Sequence, residues 1–131
     1  MISCIIVDDQ EICREALKDL IDDNFANLSI VAIATNGKDA IKKINKHNPD
    51  VVFLDVEMPG MTGFEMLAKF DHINFEIIFT TSQDKYTMQA IKSSALDYLI
   101  KPILLKDFKS AINKLSKRKQ PQLDQIEKLH K

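Results

Sequence analysis

The chain has 131 residues, of which 45% are hydrophobic and 28% charged, and its formal net charge is -1. That length suits one domain with a sizeable core. Near-neutral charge removes any global electrostatic case for nucleic-acid or membrane binding, and no apolar stretch is long enough to span a membrane.

Ile2–Val7 reads as a first strand, dense in Ile and Val, that stops at Asp8-Asp9. So short an apolar run does not suit the core of a secretion signal. Cys4 and Cys13 have neither metal nor redox spacing and are expected to be core thiols of a cytoplasmic protein. Ile12, Ala16, Leu17, Leu20 and Ile21 form a helical stripe. Ser29–Ala34 is a second strand, and Ala40, Ile41 and Ile44 mark a second helix. The third strand, Val51–Leu54, delivers Asp55 and then Glu57-Met58-Pro59-Gly60-Met61-Thr62-Gly63.

Thr62-Gly63-Phe64-Glu65 is a capping box that opens a third helix, with Phe64, Leu67 and Phe70 expected inward. Ile77–Thr80 is a fourth strand running into Thr81-Ser82, and Tyr86 to Ser93 a fourth helix with Ala90 and Ile91 inward. Tyr98–Ile100 is a fifth strand ending at Lys101-Pro102. Leu105, Phe108, Ala111, Ile112 and Leu115 stripe a fifth helix. Gln120-Pro121-Gln122 is expected to break that helix, with Leu123, Ile126 and Leu129 hinting at an amphipathic restart. Residues 1–119 are therefore one domain, and 120–131 a tail or the start of a linker. His47, His72 and His130 lack ligand spacing and read as surface residues.

Five strands that scarcely alternate, each followed by a helix, predict an α/β doubly wound parallel sheet with right-handed crossovers. The flavodoxin-like order 2-1-3-4-5 makes the first and third strands neighbours at the switch point, where ligands bind. It brings Asp8-Asp9 and Asp55 together. Each pair of carboxylates about 4 Å apart costs roughly 1 kcal/mol in water and about 4 kcal/mol at an effective dielectric near 20. Such a cluster calls for a cation, or for one acid that is chemically modified. Hard carboxylate oxygens suit Mg²⁺, which uses few protein carboxylates and leaves room for phosphate. Lys101 and a hydroxyl opposite would bind the other oxygens of a transferring phosphoryl group, leaving one acid as nucleophile.

Asp8-Asp9, Asp55 with Met58-Pro59-Gly60, Thr81 and Lys101-Pro102, each at a strand tip, together resemble a bacterial response-regulator receiver domain over residues 1 to 119. Ile78-Phe79-Thr80-Thr81-Ser82 and Ala95 through Ile103 are further similar to receivers that precede LytTR-type DNA-binding domains. The resemblance implies that Asp55 accepts a phosphoryl group from a histidine kinase. It makes Asp9 a direct Mg²⁺ ligand, Asp8 a ligand through water, and Asp55 and the Glu57 main-chain carbonyl further ligands. Lys101 would pair with Asp55 and then with the phosphate, while Thr81 and Tyr98 form the switch and Lys101-Pro102 is cis. The output face would be the fourth helix, fifth strand and fifth helix, which pairs in a homodimer or contacts an effector. DNA would be reached only through such an effector.

Glu57 and Ser82 are expected to tune the lifetime of the phosphorylated state. Thr80 competes with Thr81 for the switch position. Other functions fit less well. A haloacid-dehalogenase-type phosphohydrolase needs a second Asp where Glu57 stands. A flavodoxin-like FMN site needs a Ser/Thr/Gly-rich loop where Asp8-Asp9-Gln10-Glu11 would repel phosphate. A receiver fold that is never phosphorylated would have no use for an intact acid set.

Overall fold

Val, Ile and Phe crowd the strands because both faces of the sheet are covered. The computed structural model describes residues 1–129, with side chains through Arg118. The elements alternate as β1 (Ile2–Val7), α1 (Glu11–Asn24), β2 (Leu28–Ala34), α2 (Gly37–His47), β3 (Val51–Asp55) and α3 (Gly63–Leu67). They continue as β4 (Glu76–Thr81), a 3-10 turn (Asp84–Tyr86), α4 (Thr87–Lys92), β5 (Asp97–Ile100) and α5 (Leu105–Leu129). All strand pairings are parallel, in the order β2-β1-β3-β4-β5. The flavodoxin-like α/β reading of the sequence is the observed fold.

Side chains alternate between two cores, as the two-residue period of a strand requires. Ile5, Val7, Val52, Leu54, Ile77 and Phe79 pack under α2, α3 and α4 with Ala40, Ile44, Met66 and Ala90. Cys4, Ile6, Val51, Phe53 and Ile78 face α1 and α5 with Leu17, Ile21, Phe108, Ala111 and Leu115. Phe108 is the keystone of that second side, 5.5 Å from the Phe53 ring and 5.0 Å from Phe25. Burial, with the Asp22 charge second, pushes the Cys4 thiol up to about 12, so it is an inert core group.

Several sequence expectations change, among them the core placement of Cys13, which is half-buried, and of Ala16 and Leu105, which are exposed. Ile12 is 78% exposed, because it sits in the first turn of α1 beside the strand tips rather than over the sheet. Ile91 is 65% exposed, since α4 has only six residues and buries Ala90 alone. Helix α3 ends at Leu67, and Phe70 reaches the core from beyond it, edge-on to Phe75. Finally, α5 runs through Pro121 to Leu129. A proline cancels one internal hydrogen bond, and the surrounding Lys, Gln, Leu and Glu residues are good helix formers. The stripe of Leu123, Ile126 and Leu129 lies outside the described side chains, and His130 outside the described residues.

Gly63 shows how tightly the fold supports the end of β3. Its N–H donates to the Val56 carbonyl at 2.9 Å. A Cβ placed there would lie 2.6 Å from the Asp55 carbonyl oxygen and 3.0 Å from Leu54 Cγ. The closest atom is backbone and the next belongs to a buried core side chain, so nothing moves cheaply. Gly63→Ala is expected to cost about 1–3 kcal/mol in urea unfolding and to displace Asp55.

Candidate functional site

Strand register builds the site. Val7 pairs with Leu54, so Asp8 and Asp55 extend the same level by one residue. Asp55 in turn pairs with Thr80, and Thr81 with Ile100, which places Lys101 one step beyond. Asp8 and Asp55 are buried, and Asp9 is half-buried. Carboxylate oxygens of all three lie within 4.8 Å of one another.

Lys101 Nζ bridges the cluster, 2.8 Å from Asp8 Oδ2 and 3.3 Å from Asp55 Oδ1. Its shorter bond is to Asp8. Burial alone would lower the Lys101 pKa, but the bond to Asp8 and the charges of Asp55 and Asp8 outweigh it and hold the ammonium above its ordinary range. Asp55 is pushed up to about 7, first by burial and then by the Asp8 charge. Lys101 opposes this rise and Asp9 adds to it. One lysine does not satisfy three acids.

The donor set fits a hard divalent cation. Asp9 Oδ1 is buried without a partner among the described residues, a costly position for an anionic oxygen unless something binds it. Hard oxygens in this number suit Mg²⁺ with open positions left over. The triad is therefore able to coordinate a divalent metal.

The loop after Asp55 is shaped by its turn residues. Pro59 is followed by Gly60 at φ 80°, a backbone conformation that favours glycine. Thr62 and Glu65 then close the capping box, with Glu65 N–H donating to Thr62 Oγ1 at 3.1 Å and Thr62 N–H to Glu65 Oε1 at 3.0 Å. The peptide Lys101-Pro102 is cis, as the resemblance implied.

Alternation along β4 separates the two threonines. Thr81 follows Phe79 toward the α3–α4 side, where Tyr98 also packs. Thr80 and Ser82 line a cavity of about 440 Å³ on the opposite side, with Asp8, Ile12, Leu20 and Ile103. Thr81 Oγ1 accepts from the Gln83 N–H at 3.2 Å, and the Tyr98 hydroxyl donates to the Gln83 carbonyl.

Glu57 is exposed and turned toward the β4–α4 segment. It accepts from the Tyr86 hydroxyl at 2.6 Å and from Gln83 Nε2 at 3.3 Å, with Lys85 Nζ at 3.8 Å. The bond to Glu57, more than burial, holds the Tyr86 pKa above its usual value. Gln83 and Tyr86 escaped the sequence reading because they lie 26 and 29 residues from Glu57. No local pattern links positions so far apart.

Residues 4–113 match the family described as "Response regulator receiver domain". A DNA-binding response regulator of the LuxR family from Staphylococcus aureus is similar at 37% identity and TM-score 0.78, over 88% of this chain and 98% of that one. The REC domain of AraT, a response regulator from Geobacillus stearothermophilus, is similar at 32% identity and TM-score 0.79, over 92% and 98%. Among curated proteins, the transcriptional regulatory protein BtsR of Salmonella typhimurium is 36% identical over 93% of this chain and 51% of its own length. The chain spans about half the length of the curated relatives it matches. Solved relatives include LuxR-family and CheB receivers, so the likeness is to receivers of several output classes and not to LytTR receivers in particular. No described helix is long and apolar enough to cross a membrane. Because the match runs from within β1 into α5 and includes all three acids, the chain belongs to the response regulator receiver domain family.

Proposed function

We propose that this receiver is a Mg²⁺-dependent phosphorylation switch in which Asp55 accepts a phosphoryl group from a histidine kinase. The observation that carries the reading is Lys101 Nζ held between Asp8 and Asp55 at 2.8 and 3.3 Å, beside the unpartnered Asp9 Oδ1. An Asp55 carboxylate oxygen forms a bond to phosphorus while the donor's P–N bond breaks and the imidazole leaves. Asp9 would hold Mg²⁺ directly, Asp8 through water, and the Glu57 main-chain carbonyl would add a ligand. When bound, Mg²⁺ supplies charge neutralisation for the acids and the phosphoryl oxygens. Lys101 would move its contact to a phosphoryl oxygen, and the Thr81 hydroxyl would donate to another.

Receivers are switches rather than enzymes in their own right. The added charge favours whichever conformer brings Thr81 and Lys101 closer. Thr81 and Tyr98 both bond to Gln83, so a shift of Thr81 is felt at β5 and α4. That face exposes Met88, Ile91, Ile100 and Leu104, suitable for a homodimer or an effector contact. A DNA-binding effector of the LytTR type is the output we favour, on the strength of Ile78–Ser82 and Ala95–Ile103. We place the protein in the cytoplasm, beside its kinase. Glu57 is the expected lifetime-tuning residue, with Ser82 on the cavity side and Gln83 in direct contact with it.

Incubation with acetyl phosphate and Mg²⁺ followed by intact mass measurement tests this reading. One added phosphoryl group, absent with EDTA, supports it. Multiple turnover of phosphate esters would indicate a phosphohydrolase instead. If Glu57→Ala and Ser82→Ala both leave Mg²⁺-dependent dephosphorylation unchanged, the tuning role is wrong.

A further inference from the structure

Arg14 is absent from the strand tips, yet it touches the acid pair. It is half-buried in α1, and its Nη1 donates to the main-chain carbonyl of Asp8 at 3.0 Å. That carbonyl belongs to the peptide joining Asp8 to Asp9. Every other polar atom of Asp8 is also engaged. Its N–H donates to Ala34 O at 3.1 Å, Oδ1 accepts from Gln10 N–H at 2.9 Å, and Oδ2 accepts from Lys101. With Asp8 held at all four points, the plane of the 8–9 peptide is set, and with it the position of the Asp9 Cα from which its side chain departs. Asp9 Oδ1 is the one buried side-chain oxygen of the described residues left without a partner.

We propose that Arg14 is a positioning residue for the metal: it locks the Asp8–Asp9 peptide so that Asp9 presents an unpaired oxygen to the cation. This rests on the Mg²⁺ reading above. Its sign makes it separable from electrostatics. A guanidinium near three acids repels a divalent cation, so deleting it should tighten Mg²⁺ binding if charge is all that matters. If Arg14 orients the ligand, deletion weakens binding instead, as removal of groups that orient metal ligands does.

The experiment is a Mg²⁺ titration of the full chain by calorimetry, together with the Asp9 amide resonance followed by NMR. Arg14→Ala is expected to bind Mg²⁺ about tenfold more weakly and to shift the Asp9 amide before any metal is added. Lys18→Ala removes a positive charge from an exposed position of the same helix and is expected to leave binding unchanged or slightly tighter. Arg14→Lys, which keeps the charge but not the planar fork, should fall between wild type and Arg14→Ala. Arg14→Met serves if the alanine variant does not fold. Unchanged or tighter binding in the Arg14 variants, with Mg²⁺ still bound by wild type, overturns the positioning role. Failure of wild type to bind Mg²⁺ overturns the parent reading and this one with it.

Discussion

Asp55→Asn is expected to do two opposite things: abolish phosphoryl uptake and make the metal-free protein more stable at pH 8. The amide keeps the shape of the carboxylate but is a poor nucleophile toward phosphorus. It also removes one negative charge from a cluster in which burial and Asp8 already oppose ionisation of Asp55. Lys101 keeps its shorter bond to Asp8. The gain should be on the order of 2 kcal/mol, the scale of a buried like-charge contact relieved, and urea unfolding with EDTA present would measure it. A neutral or destabilising effect would mean that Lys101 already balances the cluster. Few single substitutions stabilise a core position, so a gain would mark Asp55 as a residue kept for chemistry at a cost in stability.

Mg²⁺ should reverse the pH dependence of stability around neutrality. Asp55 titrates near 7 in the folded chain and near its model-peptide range when unfolded. Between those values the folded state holds a proton that the unfolded state has lost. Stability from this group is therefore fully present at low pH and is lost as pH rises through about 7. A rise of about three pH units corresponds to roughly 4 kcal/mol at full burial, and water at the mouth of the site reduces that to about 2–4 kcal/mol. A cation stabilises the ionised form. With saturating Mg²⁺ the decline between pH 5 and 8 should flatten or turn into a rise. Thermal midpoints across that range, with EDTA and with Mg²⁺, decide it. Parallel curves would contradict the assignment of the acids as metal ligands.

The parts of this molecule that were legible in sequence are those governed by local pattern. β3 is buried from Val51 to Asp55, and an apolar run that ends on a carboxylate announces both a strand and a candidate site at its tip. Thr62 and Glu65 announced a helix start three residues apart, and both capping bonds are present. The order of the strands followed from requiring Asp8 and Asp55 to meet. Where the reading fell short, the deciding contact was distant or depended on element length. Ile12 and Ile91 have the right helical spacing, but one overhangs the sheet edge and the other sits on too short a helix. Lys101 was expected beside Asp55 and bonds it at 3.3 Å, but its shorter bond, to Asp8 93 residues away, was not foreseen. The contacts of Glu57 with Gln83 and Tyr86, and of Tyr98 with Gln83, join segments that only the folded sheet brings side by side.

Under the proposed switch, those contacts would carry a charge at Asp55 toward the surface. Gln83 bonds Thr81 through its N–H, Tyr98 through its carbonyl and Glu57 through its side chain. Two of the three bonds use main chain, so substitution of Gln83 tests only the Glu57 arm. Tyr98→Phe removes the β5 arm alone. It is expected to leave phosphoryl uptake within about twofold while reducing the change at α4, since the coupling carried by one such bond is about 1 kcal/mol. Amide exchange of α4 with and without phosphorylation measures that loss.

On the proposed mechanism, Asp55 itself becomes the acyl phosphate. Borohydride reduction of protein treated with acetyl phosphate and Mg²⁺ converts a phosphorylated aspartate to homoserine, which peptide mapping locates. Homoserine at position 55 alone, absent when EDTA replaces Mg²⁺, is the predicted result. Homoserine at Asp8 or Asp9, or none in protein that carries the added mass, would contradict it.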